Sequence, residues 1–421
     1  MIKVVLKQHF AIFKTLKEIF TGKRKLKDCF NTAPMDITFF ALVIAVLSVG
    51  LVMMFSASYI YAWYDKTAGY DPLYYIKRQL IFAVIGIALM VLVSYIKPEI
   101  LRESSGLIMV ISLLLLGLVL VFPHEVDGKE EFKRWLEVPF TSITFQPSEI
   151  AKIALIMFMA FSMEKYRKVV ESKFWVVVPY ALIVGFVCFL VLLENHVSGT
   201  ILILGIGGSM MFFGGLRKEL FWFLGIIAVI GIVVFIFCSE DILKGYAFER
   251  IRIWLKLLKG QELTVEEARG SGWQSLQSLY AIGSGGLFGL GFGNSKQKHM
   301  YLPEPQNDFV FAVVCEELGF IGALLIILLF IILVGRGFII GLRSRTKYGA
   351  MLALGISFQV GLQTALNIAV VTSTAPNTGI SLPFFSYGGT SLVMLLIEMG
   401  MVLAVSRNGE SGERKKIKDG K

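Results

Sequence analysis

Long apolar runs broken by short polar connections set the pattern of this chain. Several have the length, roughly 18 residues, that a helix needs to cross the hydrocarbon core of a bilayer. TILILGIGGSMMFFGGL, LFWFLGIIAVIGIVVFIFC and GALLIILLFIILV, the last extended backwards through FVFAVVCEEL, are examples. The short alternating segments of a membrane β-barrel are not visible. The pattern therefore predicts an all-α polytopic membrane protein with ten spans, at 37–58, 79–96, 105–122, 149–163, 175–193, 200–216, 220–238, 309–334, 349–371 and 388–405.

Composition agrees, with 56% of the 421 residues hydrophobic and 17% charged. Lys and Arg in short connections report orientation. With the N-terminus inside, Lys97 and Arg102, Lys165 to Lys173, Arg217 and Lys218, and Arg336 to Lys347 all fall on inner loops. The basic tail 406–421 lands inside as well, so both termini are predicted to be cytoplasmic. Residues 1–36 are basic and lack the compact apolar core of a cleavable signal. They read as a cytoplasmic segment, either amphipathic at the interface or a disordered tail. Residues 37–405 form the transmembrane domain, with a large outer loop at 239–308. Cys29, Cys188, Cys238 and Cys315 and the four histidines show no metal-ligand spacing. That gives no zinc or haem site, and the sequence does not decide whether a divalent cation takes part.

The outer segments carry the chemistry. The large loop holds Arg250, Arg252, Lys296 and Lys298 among its cations. A basic outer surface suits an anionic substrate, and it equally suits a solvated or headgroup-binding face. Asp308 ends that loop where an apolar span begins. It reads either as a favourable helix-end charge or as a general base, flanked by cations and partly desolvated. Pro147 pre-organises a helix start, where Ser148 or Glu149 could cap exposed amides. Glu149 and Lys152 stand three apart on one helical face, as an internal ion pair or as substrate contacts. SGGLFGLGFGN, residues 284–294, lacks the preceding strand and the Lys-Ser/Thr of a nucleotide-binding loop. Its glycines instead suit a sharp turn re-entering the bundle. In SLPFFSYGGT, Pro383 breaks a helix and Gly388 and Gly389 start the next.

Three long motifs, in order, then resemble one family: KRWLEVPFTSITFQPSEIAK, GSGWQSLQSLYAIGSGGLFGLGFGNSKQKHMYLPEPQNDFVFAVVCEELGF and PNTGISLPFFSYGGTS. They are similar to the SEDS proteins of shape, elongation, division and sporulation, on the FtsW and SpoVE side. The resemblance runs from the first span to the tenth. It implies a peptidoglycan glycosyltransferase that polymerises lipid II at the outer leaflet of the cytoplasmic membrane, with a class B penicillin-binding protein as partner. By motif, Asp308 falls on the family's essential aspartate, Glu149 and Lys152 on the QPSE-x-x-K positions, and Lys298 on the lysine before LPE. Arg134 matches the RW pair, and Arg250 and Arg252 resemble the basic pair of the large loop. Gln277, Ser278, Glu304, Ser386 and Tyr387 within these motifs are further candidate substrate contacts. Asn307 stands where a Thr usually precedes the aspartate, and Glu398 where the last span is normally uncharged. The competing reading is a flippase carrying lipid II across the membrane, which would gather its charges near the midplane; a non-catalytic scaffold is a third.

Overall fold

The computed structural model describes residues 29–123, 134–137, 144–172, 174–216, 246–270 and 272–408. Three helices come first, α1 (Ile37–Tyr64), α2 (Tyr74–Ser94) and α3 (Pro98–Val121). A two-residue hairpin pairs β1 (Leu136–Glu137) with β2 (Thr144–Phe145), antiparallel, Leu136 opposite Phe145. Then come α4 (Pro147–Lys165), the short α5 (Arg167–Ser172), α6 (Val177–Leu193) and α7 (Val197–Phe213). Beyond 245 lie α8 (Tyr246–Leu258), α9 (Val265–Arg269), α10 (Trp273–Gly285), α11 (Val310–Leu342), α12 (Lys347–Val371) and α13 (Gly389–Arg407).

Helices α1, α2, α3, α11, α12 and α13 are long and apolar enough to cross a membrane, and α6 and α7 are shorter apolar helices. With α4, nine predicted spans have helical counterparts among the described residues. The remaining predicted span, 220–238, lies outside them, as do residues 1–28 and 409–421. Helix α4 is the hub. From Ala151 to Met163 every side chain is buried, because α3, α7 and α12 surround it. A helix apolar on all sides belongs inside a bundle.

Helix ends depart from the sequence reading where a charge was taken for a loop. Helix α11 runs eight residues past the predicted 334, carrying Arg336 inside it. The Arg336 guanidinium reaches the Asp36 carboxylate at 2.7 Å, and Asp36 also caps α1 by accepting from the Phe39 amide at 2.8 Å. Likewise α3 starts at Pro98 rather than 105, and α1 continues through SASYIYAWY to Tyr64. The part of the N-terminal segment that is described is extended, Phe30 bridging Ile96 antiparallel. Asn31 then meets Asn408 at 3.3 Å, so the two described ends of the chain lie together on one face.

The large loop is not irregular. Helices α8, α9 and α10 occupy it, α9 closed by a capping box between Thr264 and Glu267. Trp254 Nε1 donates to the Ser373 carbonyl at 3.0 Å and Ser278 Oγ to the Val371 carbonyl at 2.7 Å, which docks the loop helices onto the bundle, while Trp273 Nε1 ties the loop to itself through the Tyr301 carbonyl at 2.7 Å. The glycine stretch re-enters the bundle against a break in α11. Gly319 has φ 69° there, and the freed backbone groups are taken up by the loop. Leu290 N donates to Glu316 O at 2.9 Å, Gly291 N to Glu317 O at 3.0 Å, and Phe320 N to Gly286 O at 2.9 Å. Backbone groups freed inside a membrane must find such partners. At Gly289 a Cβ would meet Glu317 O at 2.1 Å, so only glycine permits this approach.

Candidate active site

A cavity of about 710 Å³ opens on the face opposite the two described chain ends. Its wall is built from helix beginnings. Arg78 comes from the first turns of α2, Ser148, Glu149 and Lys152 from α4, Ser198 and Gly199 from α7, and Gly389, Thr390 and Ser391 from α13. Asp308 sits two residues before α11. Helix N-termini present unpaired amides and partial positive charge, so five of them around one cavity favour an anion. Arg78, Arg134 and Lys152 add full positive charges, set against the carboxyl groups of Glu149, Glu304 and Asp308 in the same wall.

Asp308 is held from its backbone. The Asn367 side chain, fully buried in α12, donates to the Asp308 carbonyl at 2.8 Å and to the Ile380 carbonyl at 2.6 Å. Ser386 Oγ donates to the Asn307 carbonyl and accepts from the Leu382 amide, both at 2.7 Å, while Tyr387 N donates to Gln306 O at 2.8 Å. The 304–308 turn is thereby stitched to the 380–388 segment. Gly379, at φ 71°, lets the carboxylate lie against that segment, since a Cβ there would sit 3.1 Å from Asp308 Oδ2. The Asn307 side chain turns away to Glu304 Oε2 at 3.0 Å. Burial and then the neighbouring Glu304 push the Asp308 carboxyl up to about 6, against the pull of Arg134 and Arg250.

Glu149 and Lys152 form an ion pair of 3.0 Å, and Lys152 also reaches Gln363 Oε1 at 3.4 Å. Neither Ser148 nor Glu149 caps α4. The Ser148 hydroxyl turns instead to His196 Nδ1 at 3.4 Å, where Gln146 also contacts it at 3.2 Å. Burial, with Arg134 and Lys152 close by, holds His196 down at about 3, so the ring is neutral at ordinary pH. The β1–β2 hairpin keeps Arg134 and Trp135 over the cavity, and Arg134 donates to the Asn195 carbonyl. Behind it Glu194 is fully buried; burial pushes it up to about 8 despite the Arg134 charge.

Of the residues predicted from sequence, Asp308, Arg134, Glu149, Lys152, Glu304 and Tyr387 meet in this cavity. Arg250 stands at its edge, near enough to act on Asp308 and donating to the Asn377 carbonyl at 3.4 Å. Ser386 lies beneath, tying the turn. Lys298, Arg252, Gln277 and Ser278 do not line it. Lys298 is buried in a salt bridge with Glu317 at 2.8 Å and reaches Ser56 on α1 at 3.1 Å. Ser278 donates to the Val371 carbonyl at 2.7 Å, Gln277 is buried on α10, and Arg252 is exposed on α8. Arg78 and Asn367 were missed from sequence. Among the described residues no three His, Cys, Asp or Glu side chains converge as a metal site.

The fold and cavity define a multi-pass helical membrane protein with a charge-lined site at one membrane face. The chain belongs to the FtsW/RodA/SpoVE family, whose model, described as cell cycle protein, matches residues 36–411. It is 40% identical to stage V sporulation protein E of Bacillus subtilis strain 168, over 90% of this chain and 98% of that one. It is 35% identical to a probable peptidoglycan glycosyltransferase FtsW of Trichlorobacter lovleyi, over 90% and 95% of the two chains. Among solved structures, a chain from a peptidoglycan synthase complex that coordinates polymerization and crosslinking superposes with TM-score 0.71 at 28% identity, covering 89% of this chain and 98% of that one. The rod shape determining protein RodA of Thermus thermophilus superposes with TM-score 0.62 at 27% identity, with the same coverage.

Proposed function

We propose that this protein is a peptidoglycan glycosyltransferase that polymerises lipid II at the outer face of the cytoplasmic membrane, with Asp308 as general base. The observation that carries the reading is the placement of one backbone-clamped carboxylate, raised to about 6, at the mouth of a cavity ringed by helix N-termini and cations. Glycan extension needs a base to take the proton from the acceptor sugar's hydroxyl as its oxygen attacks the donor's anomeric carbon. The new C–O bond forms as the bond to the lipid diphosphate breaks, and the diphosphate leaves with the electron pair. A base with a pKa just below neutrality is deprotonated yet basic enough to act. Arg78, Arg134 and Lys152 stabilise the departing charge, which preorganised cations do best away from water.

The lipid tail has an exit. A second, apolar cavity of about 290 Å³ adjoins the first, sharing Phe82, Gln146, Glu149, Thr390 and Ser391 with it and walled by Ile85, Ile150, Val393 and Met394. Chemistry at a charged pocket beside an apolar one fits a headgroup joined to a polyprenyl chain. The cavity face is then extracytoplasmic, the outer loop 239–308 stands on it, and residues 1–36 and 406–421 lie in the cytoplasm. A class B penicillin-binding protein is the expected partner, supplying crosslinks. The test is glycan synthesis from labelled lipid II by the purified protein with that transpeptidase. Chains of polymer are expected; lipid II moved between leaflets with no polymer formed would favour the flippase instead.

A further inference from the structure

Beneath the main cavity lies a small chamber of about 30 Å³ that shares Glu149, Lys152, Gln363, Ser381 and Ser391 with it. Its floor is Glu398, which is 1% exposed in the middle of α13. Gln359, from α12, turns its Nε2 to the two carboxylate oxygens of Glu398 at 2.8 and 2.9 Å. It does so at the expense of its own Oε1, which is buried without a partner. Glu398 therefore dictates the amide's orientation, and no Lys or Arg touches it among the described residues. The nearest cation is Lys152, across the chamber.

Lys152 carries three N–H donors. One goes to Glu149 Oε1 at 3.0 Å and one to Gln363 Oε1 at 3.4 Å, and the third has no acceptor among the described residues. One water needs on the order of 10–15 Å³ of such volume and two to four polar partners. The chamber supplies the room, a donor in Lys152, an acceptor in Glu398, and the hydroxyl oxygen of Ser391, whose proton is spent on the Gly388 carbonyl at 3.0 Å.

We propose that this chamber holds a buried water joining Lys152 to Glu398, and that Glu398 is thereby a positioning residue for Lys152. In the resting cavity Glu149 holds Lys152 from above. An anionic diphosphate competes with Glu149 for that ammonium, and Glu398, through the water, keeps Lys152 anchored and oriented while it changes partner. The role given to Lys152 rests on the glycosyltransferase reading; the water and its two partners do not.

Glu398→Met and Glu398→Gln test this in the full-length protein with its transpeptidase. Methionine fills similar volume without hydrogen bonding, and it leaves the buried Gln359 amide without its acceptor, which lowers Tm whatever the role of Glu398. A role confined to packing therefore predicts a lower Tm with a wild-type rate per folded molecule for Glu398→Met. The positioning role predicts the same fall in Tm together with kcat/KM for lipid II, per folded molecule, lower by roughly tenfold, the worth of one hydrogen bond to a charged group. Glu398→Gln, which retains a hydrogen bond to the water, recovers part of that loss. A high-resolution experimental map of the wild type should show the water within hydrogen-bonding distance of Lys152 and Glu398. Wild-type kcat/KM in Glu398→Met, or a dry chamber, overturns the proposal. If the wild-type protein makes no glycan, the glycosyltransferase reading fails, and the map alone decides the coupling.

Discussion

Two Lys–Glu pairs of nearly the same length and the same covalent parts, Lys152–Glu149 and Lys298–Glu317, stand in opposite surroundings. Lys152 and Glu149 sit 3.0 Å apart in the wall of the main cavity, where Glu149 keeps 19% of its side chain exposed. Lys298 and Glu317 sit 2.8 Å apart and almost wholly buried, 4% and 0% exposed, where α1, the glycine loop and the break in α11 meet. The second pair is enclosed by polar groups of the scaffold. Ser56 donates to both Glu317 oxygens at 2.7 Å, and Glu316 beside it accepts from Ser284, Ser295 and the Lys296 amide. The first pair has a cavity in front of it. An ion pair becomes machinery only where a ligand can compete for one of its members. We place Lys298 with the scaffold on that ground and Lys152 with the site.

The largest expected effect is on the closed pair. Removing one partner of a buried ion pair leaves an uncompensated charge and costs about 3–5 kcal/mol. Lys298→Ala or Glu317→Ala should therefore deplete folded protein from the membrane, and thermal unfolding in detergent measures it. The double substitution Lys298→Met with Glu317→Leu should recover much of the loss. Lys298→Ala with an unchanged Tm but a raised KM for lipid II would instead return Lys298 to the site. Next comes the open pair. Lys152→Ala should lose rate on the order of tenfold to a hundredfold, the scale of a hydrogen bond to a charged group, with a smaller fall in Tm than Lys298→Ala. Equal falls in Tm would erase the contrast.

Arg78 sharpens it further. It stacks over Tyr74 at 4.6 Å and lines the cavity, so Arg78→Lys keeps the charge and loses the planar fork. A rise in KM of roughly tenfold is expected, measured by lipid II titration. The smallest effect belongs to Arg252, exposed on α8. Arg252→Ala should stay within about 0.5 kcal/mol of wild type in stability and leave the rate unchanged.

What could be read from the chain divides along the same line. Asp308, Glu149 and Lys152 were legible because each is a charge set at the start of an apolar run, inside a contiguous motif. Arg78 was hidden because KRQ before an apolar stretch reads as an interfacial anchor, whereas α2 begins four residues earlier and carries Arg78 within it. Asn367 reads as one polar residue in a span. Only the tertiary structure brings its amide between the carbonyls of Asp308 and Ile380. Lys298 misled because a basic loop resembles a substrate platform, while its partner lies 19 residues on, inside α11. The helices of the outer loop were missed because nothing there has the length or apolarity of a span.

The central claim is that Asp308 takes the acceptor's proton. Its raised carboxyl makes the claim depend on pH with a definite sign. A base must be deprotonated, so polymerisation should fall as pH drops through about 6 and level off above it. Asp308→Asn cannot accept the proton, and general-base catalysis is worth about 10²–10⁴-fold. The decisive measurement is the rate of glycan synthesis from lipid II across this pH range. It should use matched preparations of wild type and Asp308→Asn, of equal Tm and with the same transpeptidase. The account predicts a wild-type rate that rises through about pH 6 and an Asn variant that is flat and slower by about 10²–10⁴-fold. An Asn variant that polymerises near the wild-type rate, with the same rise, would contradict it and make Asp308 a helix-end charge.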